Sequence, residues 1–491
     1  MCIISRHAAT GKRLLHFIPF ASSRRATLSV QDLIRCTMRL KESIRRILSL
    51  EWLVAGAAAP FLMFPTVRPR WTATALAVLV VWWLLRWAVR GEPWPVTPFN
   101  GALLLFALMV PVGIWASAVP ELTLPKAAGL VLGLAVFRAV ALAVDSPRRL
   151  NLALVLFCLL GLAILVVGVL GARWSAKVGP LYTLTRRIPW LIQGLPESQA
   201  DAVSPNQLAG ALALYLPLSL ALVSGWRLSR RAIIGPLFGL VGSLLFLALV
   251  AGTLLLTQSR SGWMGGAGGI LALVSLAGLT SRRRLARGLG GSLPVLAMLA
   301  VGALVLCLGP QQLGESLFGK ESASPVEEVV GAITLEGRVE IWSRALYAIQ
   351  DFPFTGCGLG AFRRVVPVLY PLFTVPPDSD IAHAHNIFLQ TALDLGVPGL
   401  VAYLALLGIA LAVCWQVAVK GNRWERAIAL GLAGSLIALH AYGMTDALAL
   451  GSKPAVAFWF ALGIVGGMEK RIRSPNYSDL APKTPKLKWR K

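Results

Sequence analysis

The chain has 491 residues, 56% of them hydrophobic and only 14% charged, with a formal net charge of +25. So much apolar surface exceeds what a soluble domain of any size conceals, which places the chain in a membrane. The excess of Lys and Arg argues against a nucleic-acid partner, because it alternates between successive connections instead of gathering on one face.

Residues 1–50 hold ten Lys/Arg and lack the apolar core and small-residue cleavage site of a signal peptide. Within them "MRLKESIRRILSL" (38–50) puts Leu40, Ile44, Ile47 and Leu48 on one helical face and Arg/Lys on the other. That pattern suits a helix lying on an anionic leaflet, with a solvated basic tail as the plainer alternative. Residues 1–37 carry no usable pattern, and Met38 offers an alternative start.

Apolar stretches near the roughly 20 residues needed to cross hydrocarbon then recur near 51–67, 71–89, 101–119, 125–144, 150–171, 206–226, 234–257, 262–279 and 289–309, and again near 395–419, 425–447 and 453–468. The predicted fold is an all-α integral membrane protein of about 12 transmembrane helices. Spans 1–9 lie in 51–309 and spans 10–12 in 395–468, with a long extracytoplasmic loop, 310–394, between spans 9 and 10. The short connections after spans 2, 4, 6, 8 and 10 hold fourteen Lys/Arg against five in the short connections on the other side. The positive-inside rule makes the first set cytoplasmic, and the basic segments 1–50 and 469–491 place both termini there as well. Six cysteines, with Cys357 alone in a large outer loop, give no disulfide framework.

Two outer connections are long enough to hold chemistry, 172–205 and 310–394. In the second, "EGRVEIWSRALYAIQDFP" repeats Val339, Trp342, Leu346 and Ile349 at helical spacing while Glu340 and Arg344 pair on the other face, and Pro353 ends the helix. Further on, Asn386 caps a short helix with Phe388, Thr391, Ala392 and Leu395 on one face, lying against the bilayer surface. Gly396 and Pro398 break it before span 10.

"GCGLGA" (356–361) formally matches a dinucleotide fingerprint, but it follows a helix and a proline rather than a strand, so a tight turn is the better reading. No phosphate-cradling Gly-x-x-x-x-Gly-Lys-Ser/Thr occurs, and no cofactor is expected. Asp378 and Asp380 with His383 and His385 offer a metal set, against which stands a solvated acidic turn in a proline-rich loop; the expectation is no metal. Arg260, among the small residues of "TQSRSG", is either an interfacial side chain that snorkels or an anion site where a head group can approach. Arg138, inside span 4 toward its cytoplasmic end, is expected to snorkel.

Four stretches, in order, give the chain a resemblance to a known family: "SPNQLAGALALYLPL" opening span 6, "TQSRSG" closing span 7, "GRVEIWSRALYAIQDFPFTGCGLGAF" in the long loop, and "HAHNIFLQTALDLGVPGL" leading into span 10. Together with the span count they resemble the O-antigen ligase and polymerase family over roughly residues 50–468. The resemblance implies a multi-pass protein of the bacterial cytoplasmic (inner) membrane that moves glycans from an isoprenoid pyrophosphate carrier to a glycan or lipid acceptor, without a metal. It also implies catalytic roles for Arg260, Arg338 and His385: the arginines bind the pyrophosphate, and the histidine preceding Asn386 assists the acceptor. His383 and Asn386 are supporting residues, and Arg186 and Arg187 weak further candidates. The expected partners are a lipid-linked oligosaccharide, its acceptor and membrane lipids, with no nucleic acid.

The chemistry fits those residue types. A sugar on pyrophosphate already has a good leaving group, so an enzyme need only hold the developing negative charge and relieve the incoming hydroxyl of its proton. Arginine suits the first task and histidine, with an ordinary pKa of about 6.5, the second. A ligase transferring to a hydroxyl or amine is the leading expectation. A polymerase of the same family and a small-solute, bicarbonate-like transporter are the alternatives; a transporter lacks support from paired broken helices or mid-membrane charges.

Overall fold

In a computed structural model the residues described are 48, 50–91, 94–174, 177–194, 196, 202–226, 236–318, 335–374 and 381–473. The helix expected in 38–50, Asp378, Asp380 and the tail beyond 473 lie outside them, apart from the last turn at Leu48 and Leu50. Helices α1 (Glu51–Met63), α2 (Pro69–Arg90), α3 (Asn100–Trp115), α4 (Pro120–Ala143) and α5 (Pro147–Gly171) come first. Proline opens α2, α4 and α5, where its missing N–H has no helical partner to lose. A short α6 (Gly179–Thr185) lies in the first long connection, followed by α7 (Pro205–Trp226), α8 (Pro236–Leu256), α9 (Arg260–Leu279) and α10 (Arg284–Phe318). The second long connection holds α11 (Leu335–Asp351) and α12 (Phe362–Leu369), and the chain returns through α13 (Ile387–Lys420), α14 (Arg423–Gly443) and α15 (Val456–Arg473). Among the described residues the β-pairing is one isolated bridge, Ala172 to Val203.

This is an all-α membrane protein. Nine of the described helices are long and apolar enough to cross a bilayer, while α1 and α3 are apolar but shorter, at 13 and 16 residues. Together with α15, whose apolar run ends at Met468, they correspond one for one with the twelve stretches read from the sequence. Helices α7 and α14 are the most enclosed, whereas α10 is the least, packing on α9 near Gly290 and exposing most of its remaining length. Small residues let the central helices approach: a Cβ on Gly269 would fall 2.5 Å from Ala438 Cβ, and one on Gly265 2.7 Å from the Ala438 carbonyl. Where Pro217 interrupts α7, the next amide, Leu218, donates to Ser435 Oγ on α14 at 3.2 Å.

Arg138 does not snorkel. It is buried on α4, its Nε 2.7 Å from Glu51 Oε1, and its guanidinium lies 5.3 and 5.0 Å from the rings of Trp83 and Trp94. Arg86 reaches the same carboxylate at 3.4 Å, so one acid joins α1, α2 and α4 and removes any need to reach water.

The turn Gly356–Gly360 is built on glycine, with φ of 68°, 101° and 70° at Gly356, Gly358 and Gly360. It packs onto a break in α13, where Gly396 has φ 70° and its absent Cβ would lie 2.3 Å from the Phe354 carbonyl. Cys357 N donates to Leu393 O and Val397 N to Pro353 O, both at 2.7 Å, fixing the turn to the break. The segment before the break is enclosed by protein on most sides instead of offering one face to a surface: Gln390, Thr391, Ala392, Leu393, Asp394 and Leu395 are all buried.

Helix α11 ends at Asp351, just before Pro353, and Glu340 and Arg344 pair at 3.4 Å as expected. Its buried seam, however, is Arg338, Ile341, Ala345 and Ala348; Val339 and Leu346 are exposed. The small alanines let α11 approach the turn and the start of α13, in a cluster with Cys357, Phe362 and Ala384 against which Trp342 and Ile349 of the bulkier stripe are only partly buried.

Candidate functional site

The C-terminal end of α14 is a meeting point. Tyr442 Oη donates to Asn206 O at the start of α7 (3.0 Å), and Thr445 Oγ1 bonds Ser261 Oγ at the start of α9 (2.9 Å). Arg338 on α11 donates to the Thr445 carbonyl, and Asn386 Nδ2, capping α13, donates to Met444 O at 3.1 Å. Three helix N-termini, those of α7, α9 and α13, thus converge on residues 442–446. Their dipoles favour an anion nearby.

Asp446 is buried at this junction. Its Oδ1 lies 3.4 Å from His385 Nδ1 and 3.7 Å from His383 Nε2, and it accepts from Ala447 N at 2.8 Å. The side chains of His383 and His385 are only 12% and 13% exposed, so they face protein more than solvent. At 3.4 Å the His385 contact is longer than a closed hydrogen bond, and such contacts tighten when substrate arrives. Asp446 Oδ2 is buried and without a hydrogen-bond partner among the described residues. Burial acts to raise the Asp446 carboxyl, but the contacts with His385 and His383 and the Arg338 charge outweigh it and hold it well below the usual carboxylate range. Burial and the charges of His385, Lys126 and Arg338 push His383 down to about 3, with Asp446 opposing, so it is neutral at working pH.

The histidine loop is held in place. His385 adopts φ 47°, a backbone conformation rare for a side-chain-bearing residue, and its amide donates to His383 Nδ1 at 3.2 Å. Between the two rings, which stand 4.4 Å apart, Ala384 N donates to Gln390 Oε1 at 2.8 Å; Gln390 Nε2 in turn donates to Asp394, which also accepts from Gly360 N. Asn386 Oδ1 accepts from Phe388 N and Leu389 N, making it the helix cap expected from the sequence.

Arg260 is the first residue of α9, behind the Ser259 cap, and is half-buried. Two cations not singled out from the sequence join it. Lys177 lies within charge range of Asp446, Arg338 and Arg260, and Lys126 within range of His383 and Asp394.

Residues 245–404 match the family model described as O-antigen ligase. Over this stretch the chain is similar to the O-antigen ligase family. The matched stretch contains Arg260, Arg338, His383, His385 and Asn386, and it ends before Asp446. No curated protein matches the chain significantly.

The structure gathers Arg260, Arg338, His383, His385 and Asn386, from distant parts of the matched stretch, at one end of α14. It leaves Arg186 and Arg187 exposed after α6. Asp446 and Lys177 were not anticipated, and both lie outside the matched domain. A signal for Asp446 was present: it is the sole carboxylate between Glu425 and Glu469 and stands at the end of an apolar stretch. Lys177 gave none beyond its place in an outer connection. His383, His385 and Asp446 place ligand atoms within 4.8 Å of one another, a group able to hold a divalent ion, while Asp378 and Asp380 lie outside the described residues.

Proposed function

We propose that this O-antigen ligase-like chain transfers a glycan from an undecaprenyl-pyrophosphate-type carrier to an acceptor hydroxyl or amine at the outer face of the bacterial inner membrane. In this reading the chain crosses twelve times with both termini in the cytoplasm. The observation that carries the proposal is the His385 and Asp446 pair set among Arg338, Arg260 and three helix N-termini.

The acceptor oxygen attacks the anomeric carbon while the bond from that carbon to the pyrophosphate breaks, the electron pair leaving with the phosphate. Arg260, backed by the N-terminus of α9, and Arg338 stabilise that charge. The acceptor's proton goes to His385 Nε2. Asp446, facing Nδ1, keeps the other nitrogen protonated and orients the ring. One displacement inverts configuration.

The ligand separations of His383, His385 and Asp446 favour a second reading, a divalent ion at the same place. The adjacent Arg338 charge weighs for the proton-transfer reading. Incubating the purified protein with a lipid-linked glycan and, in turn, a lipid core, a peptide and a second repeat unit separates ligase from polymerase. Solute uptake into proteoliposomes without any lipid-linked sugar would instead favour a transporter.

A further inference from the structure

Lys177 is held at three points. Its Nζ donates to Asn206 Oδ1 at 3.2 Å, while its own amide and that of Val178 donate to Gln258 Oε1 at 3.0 and 2.6 Å. Gln258, two residues before Arg260, has φ 53°, the same unusual left-handed backbone as His385. Asn206 is itself anchored, its carbonyl accepting from Tyr442 Oη. Asn206 and Gln258 belong to "SPNQLAG" and "TQSRSG", and neither of these two side chains has a part in the displacement described above. Both are spent on fixing one lysine.

The place where it is fixed is electrostatically expensive. Lys177 faces Arg338 and Arg260, with Asp446 as the opposing charge, and these four groups together carry a net positive charge. Holding a third cation there by two side chains and a strained backbone opposes folding unless an anion occupies the space. A pyrophosphate diester, with two negative charges on adjacent phosphates, fits such a group of donors.

We propose that Lys177 is a third donor-binding cation, its ammonium engaging the pyrophosphate alongside Arg260 and Arg338, with Asn206 and Gln258 as its positioning residues. This rests on the donor reading above. Burial, with Arg338 and Arg260 adding to it and Asp446 opposing, brings the lysine down to about 8. The charge is therefore present below about pH 8 and lost above it, so kcat/KM for the donor falls on the alkaline side.

The test uses the full chain in nanodiscs with an isoprenyl-pyrophosphate-linked glycan, reading turnover and donor KM across that range. Lys177→Met should raise donor KM about tenfold, the scale of one charged hydrogen bond. Lys177→Arg should recover donor affinity and abolish the alkaline fall, since guanidinium does not titrate there. Unchanged KM in Lys177→Met beside a weakened Arg260→Ala overturns the lysine's role alone. Unchanged donor KM in both variants overturns the donor reading with it. If Lys177→Met fails to insert, the Lys177→Arg profile decides, and a retained alkaline fall rejects the proposal.

Discussion

Asp446 approaches His385 from the end of a different span, with Oδ1 3.4 Å from Nδ1, and the same oxygen faces His383 Nε2 at 3.7 Å. One carboxylate therefore serves two rings, only one of which can present its far nitrogen to an acceptor.

Replacing His385 with Ala is expected to lower turnover by roughly a hundredfold or more, the scale of general-base assistance, while donor KM stays near wild type. Asp446→Asn should lower turnover by roughly a hundredfold through misplacement of the ring. Near-normal turnover in His385→Ala would remove histidine from the mechanism.

Arg260→Lys keeps the charge and loses the planar donor fork. Donor KM should rise and turnover fall together, in contrast with His385→Ala, when both are measured in the same nanodiscs.

Transfer should need no ATP and survive EDTA. Activity lost on chelation and restored by a divalent ion would assign His383, His385 and Asp446 to a metal instead.

His383 carries a pH signature in stability. Its folded pKa of about 3 lies below the ordinary value of about 6.5, so between those values the unfolded chain binds a proton that the folded chain refuses. The stabilisation is complete above about pH 6.5 and erodes as pH falls. Thermal midpoints in detergent should drop on acidification from about pH 7 to 5, and drop less in His383→Gln.

Topology is tested at Glu336, exposed on α11 two residues before Arg338. A cysteine there, in a background without the native cysteines, should react with an impermeant reagent applied from outside. Labelling that requires entry to the cytoplasm contradicts the twelve-pass arrangement.

The spans were legible because hydrocarbon demands long apolar runs, and the break at Gly396 because glycine and proline interrupt such a run. Asn386 was legible as a cap for equally local reasons. Arg138 was misread because its partner Glu51 comes from another helix. The seam of α11 was misread because apolar spacing alone does not say which side meets the protein, and there Ala345 and Ala348, the smaller residues, face inward. Asp446 and Lys177 join the cluster only through tertiary contact, and periodicity holds no trace of them.

Residues 442–446 fasten α7, α9, α11 and α13 together, so the connection 310–394 is not a detachable module. A water-soluble fragment spanning 310–394 would carry Arg338, His383 and His385 yet lack their carboxylate, the start of α9 and the lysine. An antibody or inhibitor selected against that fragment would meet an unassembled surface, and only screening on the embedded chain presents the groups in working register.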